Sequence, residues 1–177
     1  GMYLFLESLD WGLSLAAPFV ARNQEENKAV LSLLKPGIDL NEAWLIFGLS
    51  LVAAAVPAAA GGAMHDSVMA MLSVAVVGGA LRILAAFFRN VFESALILKG
   101  MSLYSVLALF VIGLSGGAMV TGGNLMSGVG IVLSLWLILA CFQLAALYGA
   151  VKIVNPLGER CRASFLVSSI LQLLFFL

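Results

Sequence analysis

The sequence predicts an all-α fold, a polytopic transmembrane helix bundle, on three observations. Apolar residues make up 63% of its 177 positions and charged residues only 10%, against roughly 45–50% and about 25% in soluble domains. Mean hydropathy is +1.12, so too little polar surface exists to cover a soluble core. Apolar runs recur along the chain, and the stretches between them alternate in charge. The formal net charge of zero gives no basic patch for nucleic acid.

A membrane helix needs about 20 mostly apolar residues. Four runs meet that length, 40–60, 65–88, 101–121 and 125–151, and two shorter ones flank them, 3–20 and 163–177. About six segments result, antiparallel up-and-down neighbours with a partial first and last. Gly1-Met2 reads as a cleavage scar before an initiator methionine. The first segment lacks a basic leader and an A-x-A site and contains Glu7 and Asp10, so it is not read as a signal peptide. The last ends within an apolar run, and its length would rise only about 22 Å against a ~30 Å hydrocarbon core. The expectation is a chain cut short there.

The basic residues sort by loop. Arg22, Lys28 and Lys35 fall in 21–38, Arg89 and Lys99 in 89–100, and Lys152, Arg160 and Arg162 in 152–162. The turns near 61–64 and 122–124 have neither Lys nor Arg. Eight of nine basic residues thus share one side, which the positive-inside rule makes cytoplasmic, with the N-terminus outside. The opposite turns are glycine-rich, Gly61-Gly62 and Gly122-Gly123. Gly113 and Gly117 form a G-x-x-x-G, and Gly128-Val129-Gly130 opens the fifth run. Small residues let membrane helices approach closely, and these are expected to be packing surface. Trp11, Trp44, Tyr104 and Tyr148 are placed near segment ends, as belt aromatics.

Ionisable side chains within apolar segments are costly and ask for a reason. Glu7 and Asp10 lie three apart, on one helical face. They are either a proton-relevant or cofactor-facing pair, or mark an interfacial segment or a contact with a partner helix. Asp39 and Glu42 open the second run with the spacing of an N-cap and an acidic first turn; a role in collecting protons is compatible with capping. Arg82 and Arg89, seven apart, share a face near the end of the third run. Arg82 is the deeper and must snorkel or find an acid, with Asp39 or Glu42 as possible partners. His65 is the only histidine, so His65-Asp66 reads as a helix start rather than a haem or metal site. The two cysteines, Cys141 and Cys161, are expected as free thiols. No Ser-His-Asp set, P-loop or H-E-x-x-H is present.

The order of motifs then becomes informative. Gly37-Ile38-Asp39-Leu40-Asn41-Glu42-Ala43-Trp44-Leu45 resembles the W-D-G-N-[EQ]-V-W-L signature of cytochrome bd oxidase subunit II, with Ile38 in place of the tryptophan and Leu40 of the glycine. Tyr3 to Gly12 is similar to that family's Y-x-x-L-D-G-F-D-L-G. Leu81-Arg82 through Phe88-Arg89 is similar to its L-R-x-x-x-F-[DE]-F-R, although Phe87 stands where the family places an acid. Residues 118–122 and 146–152 resemble the ends of its fourth and fifth helices, and Gln143 falls about where a histidine is common.

The resemblance spans the chain and about the first half of a typical family member. It implies a first four-helix bundle over 1–121 and the start of a second over 122–177. It implies a partner, subunit I, carrying haem b and haem d and the quinol site, with no cofactor or metal bound by this chain. It also implies a bacterial cytoplasmic membrane, a role in stabilising the partner, and proton uptake in which Asp39 matches the family's pathway aspartate. Two other readings remain: a divergent subunit II-like protein with a structural or assembly role, and a small transporter. A transporter would show internal repeats and unwound helices, for which Gly78-Gly79 is the single mid-helix candidate.

Overall fold

The computed structural model describes residues 2–34, 47, 48, 50, 51, 54, 58–88, 92–122, 124–153 and 156–175, and for part of the 58–88 stretch, Arg82 included, the backbone alone. Every described element is helical. Helix α1 spans Met2–Val20, α2 Gln24–Leu33, α3 Ala58–Phe88, α4 Ser94–Val120, α5 Gly128–Lys152 and α6 Pro156–Phe175. Helices α4 and α5 are long and apolar enough to cross a membrane, and His65–Gly78 within α3 forms a shorter apolar stretch.

Local chemistry sets the helix ends. Asn23 caps α2, its side chain accepting from the Glu26 N–H at 2.8 Å, and Glu26 reaches back to accept from the Arg22 N–H at 2.6 Å. This is a capping box displaced by one residue. It corrects the reading of 21–38 as loop: ten of those residues form α2. Ser127 caps α5 by accepting from the Gly130 N–H at 3.1 Å, while Pro156 opens α6 where a missing N–H costs nothing. Two further boundaries move. Helix α4 begins at Ser94, so Lys99 is helical, and α6 begins at Pro156, which puts Arg160 and Arg162 in its first turns. In α3 the helix breaks at Gly62, whose φ of +40° favours glycine.

Helix α5 packs against α4, α6 and α1, and α4 also contacts α1, α3 and α2. Glycines set the closest approaches. A side chain on Gly113 would overlap Ser134, one on Gly117 would overlap Gly130, and one on Gly12 would overlap the Cys141 carbonyl. The packing role expected of the G-x-x-x-G is therefore seen between α4 and α5. One core cluster gathers Leu13, Ala17, Val30, Leu98, Ala150 and Leu157. A second gathers Trp11, Leu15, Ala108, Leu109, Ile112 and Cys141. Cys141 and Cys161 are free and buried.

Contacts between elements define one end of the bundle. Gln24 of α2 donates to Glu93, just before α4, at 3.4 Å, and Glu26 pairs with Arg160 of α6. The end of α1, all of α2, the start of α4, the end of α5 and the start of α6 therefore lie together. Arg22, Lys28, Lys99, Lys152, Arg160 and Arg162 all belong to these segments. The turn at the far end, 121–127, carries no charged residue.

Candidate functional site: a buried polar seam

Glu7, Asp10 and Ser14 recur at the spacing i, i+3, i+7, one stripe of α1. Glu7 has 0% exposure, Ser8 and Ser14 are buried, and Asp10 is half-buried. The question left open by the sequence, whether the two acids face protein, is settled for Glu7: it lies inside the bundle, and both acids are partnered. A fully buried carboxyl persists only when its interactions replace those of water.

Across from this stripe stand α3 and α4. The Tyr104 hydroxyl donates to the Val74 carbonyl at 2.5 Å. Gly78 lies under the same ring, where any side chain would strike the Tyr104 hydroxyl. That explains the glycine the sequence marked as a possible unwound point: α3 continues as helix through it. Ser105, also buried, donates to the Met101 carbonyl at 2.9 Å, and Ser14 donates to the Asp10 carbonyl at 2.9 Å. Between the three helices is a small, partly open cavity of about 10 Å³ lined by Asp10, Ser14, Gly78, Leu81, Tyr104 and Ser105, among others. This is near the smallest space that holds one water.

The belt placement of Trp11 and Tyr104 is corrected here. Trp11 is 3% exposed in the core, and Tyr104 lies well inside α4 as a hydrogen-bonding strut. The apolar run 101–121 starts seven residues after the helix itself, which begins at Ser94, so hydropathy places Tyr104 at an end that the helix does not have there. The serines of the seam were missed altogether, although Ser14 stands one helical turn from Asp10, a spacing that could have flagged it. Asp39 and Glu42 lie outside the described residues, as do Arg89 and the side chain of Arg82, so their suggested pairing does too. His65 is half-buried in α3, just beyond the break at Gly62. Among the described residues no group of three or more His, Cys, Asp or Glu could hold a metal.

The model of one protein family, cytochrome bd terminal oxidase subunit II, matches residues 1–177. The chain belongs to that family. Over 55 residues, 31% of this chain, it is 34% identical to cytochrome bd ubiquinol oxidase subunit 2 of Bacillus subtilis (strain 168), and the match spans 16% of that protein. No solved structure matches significantly. For a subunit II family member, the helical bundle and its two long apolar helices are in keeping. Of the described acids, Glu7 and Asp10 lie along the α1 stripe, and Asp10 lines the small cavity between α1, α3 and α4.

Proposed function

We propose that this chain serves as subunit II of a membrane quinol:oxygen oxidoreductase. In this reading it braces a haem-bearing subunit I and helps bring cytoplasmic protons to it while dioxygen is reduced to water. The family match over residues 1–177 carries the reading. The chemistry is consistent with it. This chain has a single histidine and so cannot supply a pair of imidazole ligands, and in this reading haem b and haem d are carried by the partner. Quinol gives electrons there, and each electron passed to dioxygen requires a proton at the oxygen site. Protons cross a low-dielectric bundle through groups that can both accept and donate, and carboxyls and hydroxyls do so. Glu7, Asp10 and the serines beside them supply such groups in the interior. Asp39 and Glu42, on the side of the basic loops, are proposed as the point of uptake, with Arg82 and Arg89 holding the local potential positive.

The division at residue 121 into a first bundle and the beginning of a second belongs to the same proposal. So do the cytoplasmic placement of the basic end and the outer placement of the N-terminus. One observation favours the alternative of a structural or assembly subunit: Phe87, standing where the family has an acid, is 78% exposed.

The test is purification from the native membrane in mild detergent, with a reduced-minus-oxidised spectrum. Haem b and d bands in a larger co-purifying subunit are expected. Asp39→Asn and Glu7→Gln should then keep those bands while slowing quinol-driven oxygen consumption by about a hundredfold or more, the low end of the effect of a positioned proton-transfer group. A haem-free preparation without a partner would leave the structural reading. Unchanged turnover in both variants would remove the acids from the pathway.

A further inference from the structure

A long groove of about 660 Å³ runs between α1, α4, α5 and α6, and its wall is almost wholly apolar. Its lining follows helical stripes. On α1 it uses Leu15, Pro18 and Phe19, and on α4 Ser102 and Val106. Phe19, 73% exposed, meets Phe142 of α5 edge-on at 5.7 Å, at the groove's end nearest the basic pole.

A cation stands past each stripe. On α4, Lys99, Ser102 and Val106 stand at i, i+3 and i+7, one face of the helix. On the α1 side, Arg22 lies two residues past the helix end at Val20. Lys99 and Arg22 are exposed, and Lys99 has no ion partner among the described residues. Glu26 lies beside Arg22, accepting from its N–H, and pairs with Arg160, while Glu93 accepts from Gln24. Glu25 stands exposed on α2. Lys99 on α4 and Arg22 after α1 stand past the lining residues, toward the basic pole, and an apolar slot with cations beyond one end is complementary to an amphiphile with an anionic head.

We propose that this groove binds one anionic glycerophospholipid, with an acyl chain along α1, α4 and α5 and its phosphate against Lys99 and Arg22. The proposal requires that the chain lie in a bilayer, and it is independent of the oxidase reading. The lipid would fill the space between α1 and α6 and tie the basic pole to one leaflet.

The experiment is native mass spectrometry of the full chain, with any partner it retains, ejected from nanodiscs of mixed phosphatidylglycerol and phosphatidylcholine. One phosphatidylglycerol should be retained in preference to phosphatidylcholine. The double variant Arg22→Gln with Lys99→Gln changes only exposed groups, and should lower that preference about thirtyfold, as two interfacial charges imply. Val106→Trp should lose both lipids alike. If Val106→Trp does not fold, the charge variant still decides. Equal retention of the two lipids, a preference untouched by removing both cations, or an isoprenoid quinone retained in place of phospholipid would each overturn the proposal.

Discussion

At Gly117 of α4 an added methyl group would overlap the Cα and N of Gly130, whereas at the neighbouring Gly116 it would meet only the Cδ2 of Leu133, at 2.9 Å. Backbone cannot move aside without shifting a helix, but a leucine tip can rotate. Gly117→Ala should therefore cost at or above the upper end of the ~1–3 kcal/mol typical of overpacking, and Gly116→Ala much less. Thermal unfolding in detergent, followed by circular dichroism, checks the pair; equal losses would show that α4 and α5 do not approach as closely as described. The G-x-x-x-G was legible because its spacing marks one helix face. Gly12 and Gly78 were not, since each is dictated by a single distant group, the Cys141 carbonyl and the Tyr104 hydroxyl, which local spacing does not reveal. The same holds for the buried acids. Their common face could be read from the three-residue spacing, but what that face meets depends on how α3 and α4 pack.

Helix α2 is the element that the hydropathy pattern concealed. It is polar and short, so a reading tuned to long apolar runs took it for loop, although Asn23-x-x-Glu26 carries the capping signature. Its Glu26 ties α2 to the linker before it and to α6, accepting from the Arg22 N–H and pairing with Arg160. The backbone hydrogen bond from Arg22, followed by Arg160, holds the Glu26 carboxyl below its usual range against an opposing effect of desolvation. A folded-state value lower than the unfolded one means that the stabilisation is complete above the unfolded pKa and is lost as pH falls through the folded one. Glu26→Gln should thus lower stability at neutral pH by up to ~1 kcal/mol, the scale of a solvent-accessible pair. Unfolding curves of the two proteins should converge in acid, below the ordinary carboxylate range. A gap that persists there would assign the effect to helix capping rather than charge. Boundaries elsewhere were misplaced for a related reason: Lys99, Arg160 and Arg162 were assigned to loops because they are charged, yet a helix that emerges at a bundle end can carry them.

For the molecule as a whole, the decisive asymmetry is between its two ends. The Gln24–Glu93 and Glu26–Arg160 contacts gather α2 with the start of α4 and the start of α6, and the six described cations of those segments stand against an uncharged turn at 121–127. The sequence showed this alternation before any helix was placed, because loop charge survives errors of several residues in helix boundaries. Basic residues near span ends resist translocation, so the proposed orientation puts Lys28 in the cytoplasm and Asn124 outside. Both native cysteines are buried, which leaves a low background for thiol labelling. Asn124→Cys, in an exposed turn, should react with a membrane-impermeant maleimide added to intact spheroplasts. Lys28→Cys, exposed on α2, should react only after the membrane is opened. The reverse pattern would invert the molecule and move Lys99 and Arg22 to the outer leaflet. Proton uptake from the cytoplasm could then no longer begin at the basic end. Reaction of both sites in intact spheroplasts would mean that the two ends do not lie on opposite sides of a membrane, and the bundle would have to be placed differently from the outset.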